Sequence, residues 1–295
     1  MIDINTLVDR MIDADPYLEA HRQALVRRFA HIQGMRRKIT EGRMNLLDLA
    51  SGHEYFGLHQ TADGWTFREW APNATAIFLV GDFSGWKEDR ALALTRLSDD
   101  GQWEIRLPGD ILRHGDLFRL RMHWRGGQGD RIPAYARRVV QDPGTLIFNA
   151  QVWAPDSPYR WRHPDFTRPD RPPLVYESHA GMAQDAEKIG TWREFTANVL
   201  PRIVDAGYNT IQLMAVQEHP YYGSFGYHVS SFFAPSSRFG PPEDLMNLID
   251  SAHEQGLAVI MDLVNSHAVS NTVEGLGLLD GTEYQYFHQG RRGYH

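Results

Sequence analysis

No cysteine occurs anywhere in the 295 residues. Disulfides, thiolate nucleophiles and cysteine zinc sites are therefore excluded. No apolar run approaches the ~20 residues that a membrane-spanning helix needs, so no membrane partner is expected. The opening stretch M-I-D-I-N-T-L-V-D-R carries acids where a secretion signal needs a basic start and an apolar segment, which makes the cytoplasm the expected compartment. The net charge is -7 and neither sign forms a long run, so the basic footprint of a nucleic-acid binder is missing. Three catalytic signatures, H-E-x-x-H, the P-loop and G-x-S-x-G, are absent as well. G-L-G-L-L-D-G at 275–281 has the wrong spacing for a dinucleotide fingerprint.

What remains is ordinary for a soluble globular protein: 42% hydrophobic and 23% charged residues, in a length that suits two or three domains. Aromatic residues make up 12%, with 8 tryptophans. That suits ligands with planar faces, such as sugars, and core packing accounts for it equally well.

Residues 1–50 read as helical. Asp15-Pro16 is a helix start, and Leu18, Leu25, Phe29 and Ile32 recur on one face behind it. The plain reading is a packing helix. Residues 51–153 change character. The runs 65–70, 76–80, 103–107 and 117–122 alternate with Pro-Asn, Asp-Gly, His-Gly-Asp and Gly-Gly turn signals, a pattern that predicts a β-sandwich of about 100 residues. Residues 154–173 hold six prolines and read as an extended linker.

From 174 onward the pattern is strand, helix, strand, helix, strand. Leu174–Glu177 reads as a short buried strand. Thr191 and Glu194 form a capping box for a helix with Trp192, Phe195, Val199 and Ile203 on one face. Pro201 predicts a kink or restart in it, and Gly207 its end. Residues 210–214 make a second strand, and Pro241-Pro242 opens a second helix that Gly256 closes. The unbroken apolar run 257–264 predicts a third strand buried on both faces. Such units point to a (β/α) barrel or a doubly wound sheet, and residues 174–295 are assigned to that domain.

Polar groups gather just after these strands, where α/β folds build their sites. Glu218, His219, Tyr221, Tyr227 and His228 follow the second strand; Asp262, Asn265, Ser266 and His267 end the third. Aromatic rings with His and Asp suit a polyol, the rings packing on a pyranose while the polar groups bond its hydroxyls. A purely structural network accounts for the same residues. Asp262, inside an apolar run, must be hydrogen-bonded if buried.

Five stretches then become recognisable: Y-E-S-H-A-G-M (176–182), M-A-V-Q-E-H-P-Y-Y-G-S-F-G-Y-H (214–228), F-F-A-P-S-S-R-F-G-P-P-E-D-L (232–245), D-L-V-N-S-H-A (262–268) and D-G-T-E-Y-Q-Y-F-H (280–288). Together they resemble the eukaryotic-type 1,4-α-glucan branching enzymes of the α-amylase superfamily, which are retaining (β/α)₈-barrel enzymes. Upstream, W-A-P-N-A-T (70–75), V-G-D-F-S-G-W (80–86) and D-G-Q-W-E-I-R-L-P (100–108) resemble that family's carbohydrate-binding module. D-P-Y-L (15–18) and Y-F-G-L-H (55–59) resemble its N-terminal helical segment.

The resemblance implies a multidomain fold: a helical segment, a carbohydrate-binding β-sandwich, and the first three βα units of a (β/α)₈ barrel. It implies an α-1,4-glucan as partner, a monomer, and no cofactor. Tyr227 would stack on the glucosyl unit at the cleavage subsite, His267 would bond its hydroxyls, and Asp262 would hold the local network. Trp70, Pro72 and Gly101 would line a glucan groove beside the helical segment. Trp86 and Trp103 are expected in the sandwich core. Ser266 stands where many amylases carry Asn at a calcium site, which argues against a metal here.

The family's nucleophile, acid/base and third essential carboxylate follow strands four, five and seven. This chain ends at Gly293-Tyr294-His295, before a fourth strand. Retaining glycoside chemistry needs two carboxylates about 5–5.5 Å apart, and no pair here matches that context. The expectation is the N-terminal portion of a branching enzyme, inactive by itself. A non-catalytic glycogen- or starch-binding protein is the alternative. A debranching enzyme of the same superfamily is a third reading, and Y-E-S-H and S-F-G-Y-H argue against it.

Overall fold

The computed structural model describes residues 3–168 and 170–287. His288, the last residue of the 280–288 stretch, lies outside the described residues. The chain divides into two compact units, residues 1–55 and 56–295.

In the first unit, the Asp3 side chain caps α1 (Ile4–Ala14) by accepting the Thr6 N–H at 3.2 Å. Asp15 repeats the device at 3.1 Å on Tyr17 and opens a 3₁₀ turn, Pro16–His21, which runs into α2 (Arg22–Thr40). Arg22 ties the helices together by bonding Asp9 at 2.5 Å and Glu19 at 3.0 Å. A short turn, α3 (Gly52–Tyr55), follows. The apolar stripe is less buried than its spacing predicts. Leu18, Leu25 and Phe29 are half-buried, and Ile32 is 51% exposed. A helical repeat states which face prefers burial; it does not supply the element that covers it.

The second unit opens with the sandwich. One antiparallel sheet runs β1 (Gly57–Thr61), β2 (Gly64–Trp70), β5 (Gln102–Leu107) and β4 (Thr95–Arg96). The other runs β3 (Ala74–Gly81), β6 (Leu117–Trp124), β9 (Phe148–Gln151) and β8 (Val139–Gln141), with β7 (Gly127–Arg131) also on β6. All four predicted runs lie inside observed strands. Alternation does the work: Trp103, Ile105 and Leu107 point inward from β5 to meet Ile77, Leu79, Leu120 and Met122 of the other sheet. Each such burial stabilises the fold by ~1.5–3 kcal/mol.

The α/β part begins at β10 (Val175–Ser178). Thr191 and Glu194 cap each other reciprocally at 3.1 and 3.0 Å and start α4 (Trp192–Glu194). The helix then widens into a π turn at Phe195–Val199 and resumes as α5 (Leu200–Asp205). Pro201 causes this, because its ring clashes with a carbonyl of the preceding turn and it has no N–H to donate. Next come β11 (Thr210–Leu213), an antiparallel excursion β12 (Gln217–Glu218) and β13 (Ser231–Pro235), α6 (Pro242–Glu254) and β14 (Ala258–Met261). The sheet is parallel, in the order β10-β11-β14. From 262 to 287 the described chain is irregular apart from turns.

Two strand expectations need correction. Leu174 and Val175 are 58% and 39% exposed, not buried. Ile260, Met261 and Leu263 of the third apolar run are likewise 45%, 41% and 60% exposed. Helices cover one face only: Ile211 and Leu213 pack on Trp192, Phe195, Ile203 and Leu248. On the opposite face Glu177 and Ile260 are exposed, whereas Thr210 and Ala258 are buried.

The proline-rich segment has neither helix nor strand among its described residues, as expected, but it is anchored. Asp250 of α6, wholly buried, accepts the Tyr159 hydroxyl at 2.7 Å and the Arg162 and His163 N–H groups at 2.8 and 3.0 Å.

Candidate functional site

Strand alternation decides which side chains face away from the helices. Glu177, Gln212 and Ile260 stand in register across the three parallel strands, on the face opposite Ile211 and Leu213. Gln212 Nε2 reaches Glu177 at 3.4 Å and Asp262 Oδ1 at 2.9 Å. Asp262 lies one residue past β14, so its carboxylate stands at the C-terminal end of the sheet.

Tyr227 arrives there from the long connection after β11. Gly226, at φ +91°, brings the chain against that strand's end, and a Cβ on it would sit 2.2 Å from the Ala215 carbonyl. Only glycine allows this approach. The Tyr227 ring then packs on Ala215, Val229 and Val264, and its hydroxyl donates to Asp262 Oδ2 at 2.9 Å. Burial and that carboxylate push the phenol up to about 12, so it stays a donor. Asp262, half-buried, thus has a hydrogen bond on each oxygen.

His267 completes the cluster. Its Nε2 donates to the Tyr227 carbonyl at 2.8 Å, and Nδ1 lies 2.9 Å from Ser266 Oγ. A carbonyl only accepts, so Nε2 carries the proton. The structure therefore brings Tyr227, Asp262 and His267 together. It also commits both imidazole nitrogens to the protein, so His267 must rearrange before it can bond a sugar hydroxyl. Tyr227 and Asp262 are half-buried and His267 is exposed, which leaves the cluster reachable from solvent.

Beneath it lies a buried support. Glu218, wholly buried, accepts from Ser237 N at 2.7 Å, His219 N at 3.0 Å and Arg238 Nη1 at 3.4 Å. Burial nonetheless holds its carboxyl above the usual range. Arg238 also donates to the His219 and Pro220 carbonyls. His179, from the Y-E-S-H stretch, is ringed edge-on by Tyr222, Phe225 and Phe239, and burial lowers its imidazole's pKa. From sequence, Glu218 and His219 stood among the candidate polyol binders. Their burial makes them scaffold.

On the sandwich, Trp70, Pro72 and Gly101 are neighbours. The Trp70 indole donates to the Asp100 carbonyl at 2.8 Å, and Ala71 N to the Gly101 carbonyl at 2.8 Å. The Gly101 backbone lies directly on Pro72. Trp70 and Pro72 are half-buried; Gly101 is buried. Trp103 is in the core, as expected, with its indole on the Ala71 carbonyl at 2.9 Å. Trp86 is not, and that expectation is corrected. A left-handed turn at φ +62° carries it to the surface, where it is half-exposed and bonds Asp82 at 3.2 Å. There it borders a cleft of about 340 Å³ with Arg119, Thr145 and Asn149. The G-W pair at 85–86 was the available signal, since a tryptophan beside a turn glycine need not follow strand alternation.

Residues 55–143 match the family model described as carbohydrate-binding module 48 (isoamylase N-terminal domain), and residues 179–275 match the α-amylase catalytic domain. The chain is 42% identical over 293 residues to the chloroplastic/amyloplastic 1,4-alpha-glucan-branching enzyme 2-2 of Arabidopsis thaliana, covering 97% of this chain and 36% of that protein. Against the 1,4-alpha-glucan-branching enzyme of Emericella nidulans it is 43% identical over 294 residues, covering 97% and 42%. The Dictyostelium discoideum enzyme is 40% identical over 303 residues, covering 100% and 44%. The chain thus spans well under half the length of these relatives. Among solved structures, the pullulanase from Bacillus acidopullulyticus superposes with a TM-score of 0.65 at 20% identity, covering 81% of this chain and 32% of that one. The Group B Streptococcus pullulanase SAP gives 0.57 at 17% identity, covering 72% and 34%. At those identities the likeness concerns the fold alone.

Proposed function

We propose, from homology to the 1,4-α-glucan-branching enzymes that runs over 97% of this chain, that it is the glucan-binding N-terminal portion of such an enzyme. The whole enzyme would cleave an α-1,4 bond, hold the cut chain covalently on a carboxylate, and pass it to a 6-hydroxyl as a new branch. The observation that carries the reading is the convergence of Tyr227 and Asp262 at the C-terminal ends of β11 and β14. Tyr227 offers a ring to one face of a glucosyl unit. Asp262 fixes that ring through the phenol and has lone pairs left for sugar hydroxyls. Trp70, with Pro72 and Gly101 beside it, gives the sandwich a platform for a second stretch of glucan, and Trp86 offers another.

By this reading the chain alone does not catalyse branching. Its nearest carboxylates, Asp262 and Glu177, share the Gln212 amide between them, and Asp262 is also committed to Tyr227. By this reading both carboxylates help hold the Tyr227 platform and are not the nucleophile and acid/base pair. A binding-only protein is not favoured, because the matched enzymes align through residues 179–275 as well as through the sandwich.

Two assays test the proposal. In sedimentation with glycogen, residues 1–295 should be retained, and Trp70→Ala should weaken retention by about tenfold. Tyr227→Phe, which keeps the ring, should change it little. In an iodine-absorbance assay on amylose, the same protein should form no branches. Retention unchanged in both Trp70→Ala and Trp86→Ala would remove the sandwich platforms. Measurable branching would overturn the assignment of chemistry to carboxylates outside this chain.

A further inference from the structure

We infer that the segment after the third parallel strand, residues 276–286, positions Trp70 for glucan, with Tyr286 and Gln285 as its positioning residues. The inference rests on the reading of Trp70 as a glucan contact and deepens it.

The segment is distant in sequence but is built into the sandwich. Leu279 is wholly buried in the sandwich core. Arg131 Nε on β7 holds the Leu278 carbonyl at 3.0 Å. Asp280, also wholly buried, accepts both the backbone N–H and the side-chain amide of Asn73, at 3.0 and 2.8 Å, with one oxygen. Its other oxygen accepts from Thr282 N at 3.1 Å and Oγ1 at 2.6 Å. A carboxylate so fully used fixes the segment against the turn that follows Trp70.

From that anchor two groups reach Trp70 itself. Gln285 Oε1 accepts the Asp280 N–H at 3.0 Å, which orients its amide to donate to the Trp70 carbonyl at 2.5 Å. The Tyr286 ring meets the indole edge-on, with centroids 5.4 Å apart and planes at 79°. The Asp100 carbonyl holds the indole N–H from the sandwich side. The ring is therefore held from two directions, while Trp70 stays half-exposed. A stacking platform contributes most when its rotamer is set before the sugar arrives, because no side-chain entropy is then lost on binding. Without Tyr286 the indole would keep its Asp100 bond but lose the wall that fixes its tilt.

The test is maltoheptaose affinity by titration calorimetry, well below the melting temperature, on residues 1–295. Tyr286→Leu should weaken binding about fivefold, and Gln285→Ala about two- to threefold. Tyr286→Phe, which keeps the ring, should bind like the parent. Val139→Ala, in the same sandwich core but on β8 and outside the segment, should lower the melting temperature by opening a core cavity and leave affinity unchanged. If Val139→Ala weakens binding as much as Tyr286→Leu, general loosening is the cause and the inference is overturned. Parent-like affinity in both Tyr286→Leu and Gln285→Ala, alongside a weakened Trp70→Ala, also overturns it and leaves Trp70 as a contact. Unchanged affinity in Trp70→Ala removes the reading beneath it and the inference with it.

Discussion

Replacing Asp250 with alanine is expected to destabilise the second unit by about 3 kcal/mol or more, measured by urea denaturation at pH 7. The carboxylate is wholly buried and serves the Tyr159 hydroxyl and the Arg162 and His163 N–H groups together. Alanine removes every acceptor at once and leaves those donors buried or poorly solvated. The proline-rich segment, with neither helix nor strand among its described residues, would lose its main polar anchor on α6. Acid should reproduce part of the effect. The hydrogen bonds hold Asp250 at about 2, against burial that acts the other way and an ordinary 3.8. A lowered folded-state pKa gives stability that is present in full above ~3.8 and is lost as pH falls through about 2. The gap between the parent and Asp250→Ala should therefore narrow from pH 4 to pH 2, by roughly 2 kcal/mol. A gap that stays constant across that window would show that the carboxylate is not the anchor.

Glu218→Ala and Arg238→Ala should each cost roughly 3–5 kcal/mol, because each leaves the opposite charge buried and unpaired. The ion pair is 3.4 Å long, with Glu218 0% and Arg238 15% exposed at the side chain. The double variant should cost clearly less than the sum, since it strands neither charge. The consequence reaches the site. Residues 218–238 enclose the connection that carries Gly226 and Tyr227, so both single variants should also raise the exposure of Tyr227. Hydrogen–deuterium exchange of the peptide that carries Tyr227, followed by mass spectrometry, reads that opening. Additive costs in the double-variant cycle would mean that the two residues support the loop separately, through their backbone partners.

Much of this was legible beforehand, and the reason is local. The period-two alternation of β5 follows from side chains pointing to opposite faces, so Trp103, Ile105 and Leu107 had to be inward together. The capping box at Thr191 and the interruption at Pro201 are decided by groups within one helical turn. Asp262 was expected to be hydrogen-bonded if buried; it is half-buried and bonded on both oxygens. Its partners were not legible, because Gln212 and Tyr227 come from other segments. Trp86 went the other way: its turn geometry overrode the ordinary fate of a tryptophan near a strand.

Local sequence thus determined where strands, helices and turns form, because those depend on backbone preference and on neighbours a few residues away. It also held the stretches that match glucan-branching relatives. Only the tertiary structure decided burial and partnership. The outer strands are exposed because coverage depends on elements packed against them, not on their own hydrophobicity. Asp250 and Asp280 read as ordinary acidic residues, and Glu218 as a candidate polyol binder, until the fold removes water from around them. A buried carboxylate must then find donors, and here those donors lie in other elements: the proline-rich segment, the turn at 237–238, and Asn73 of the sandwich.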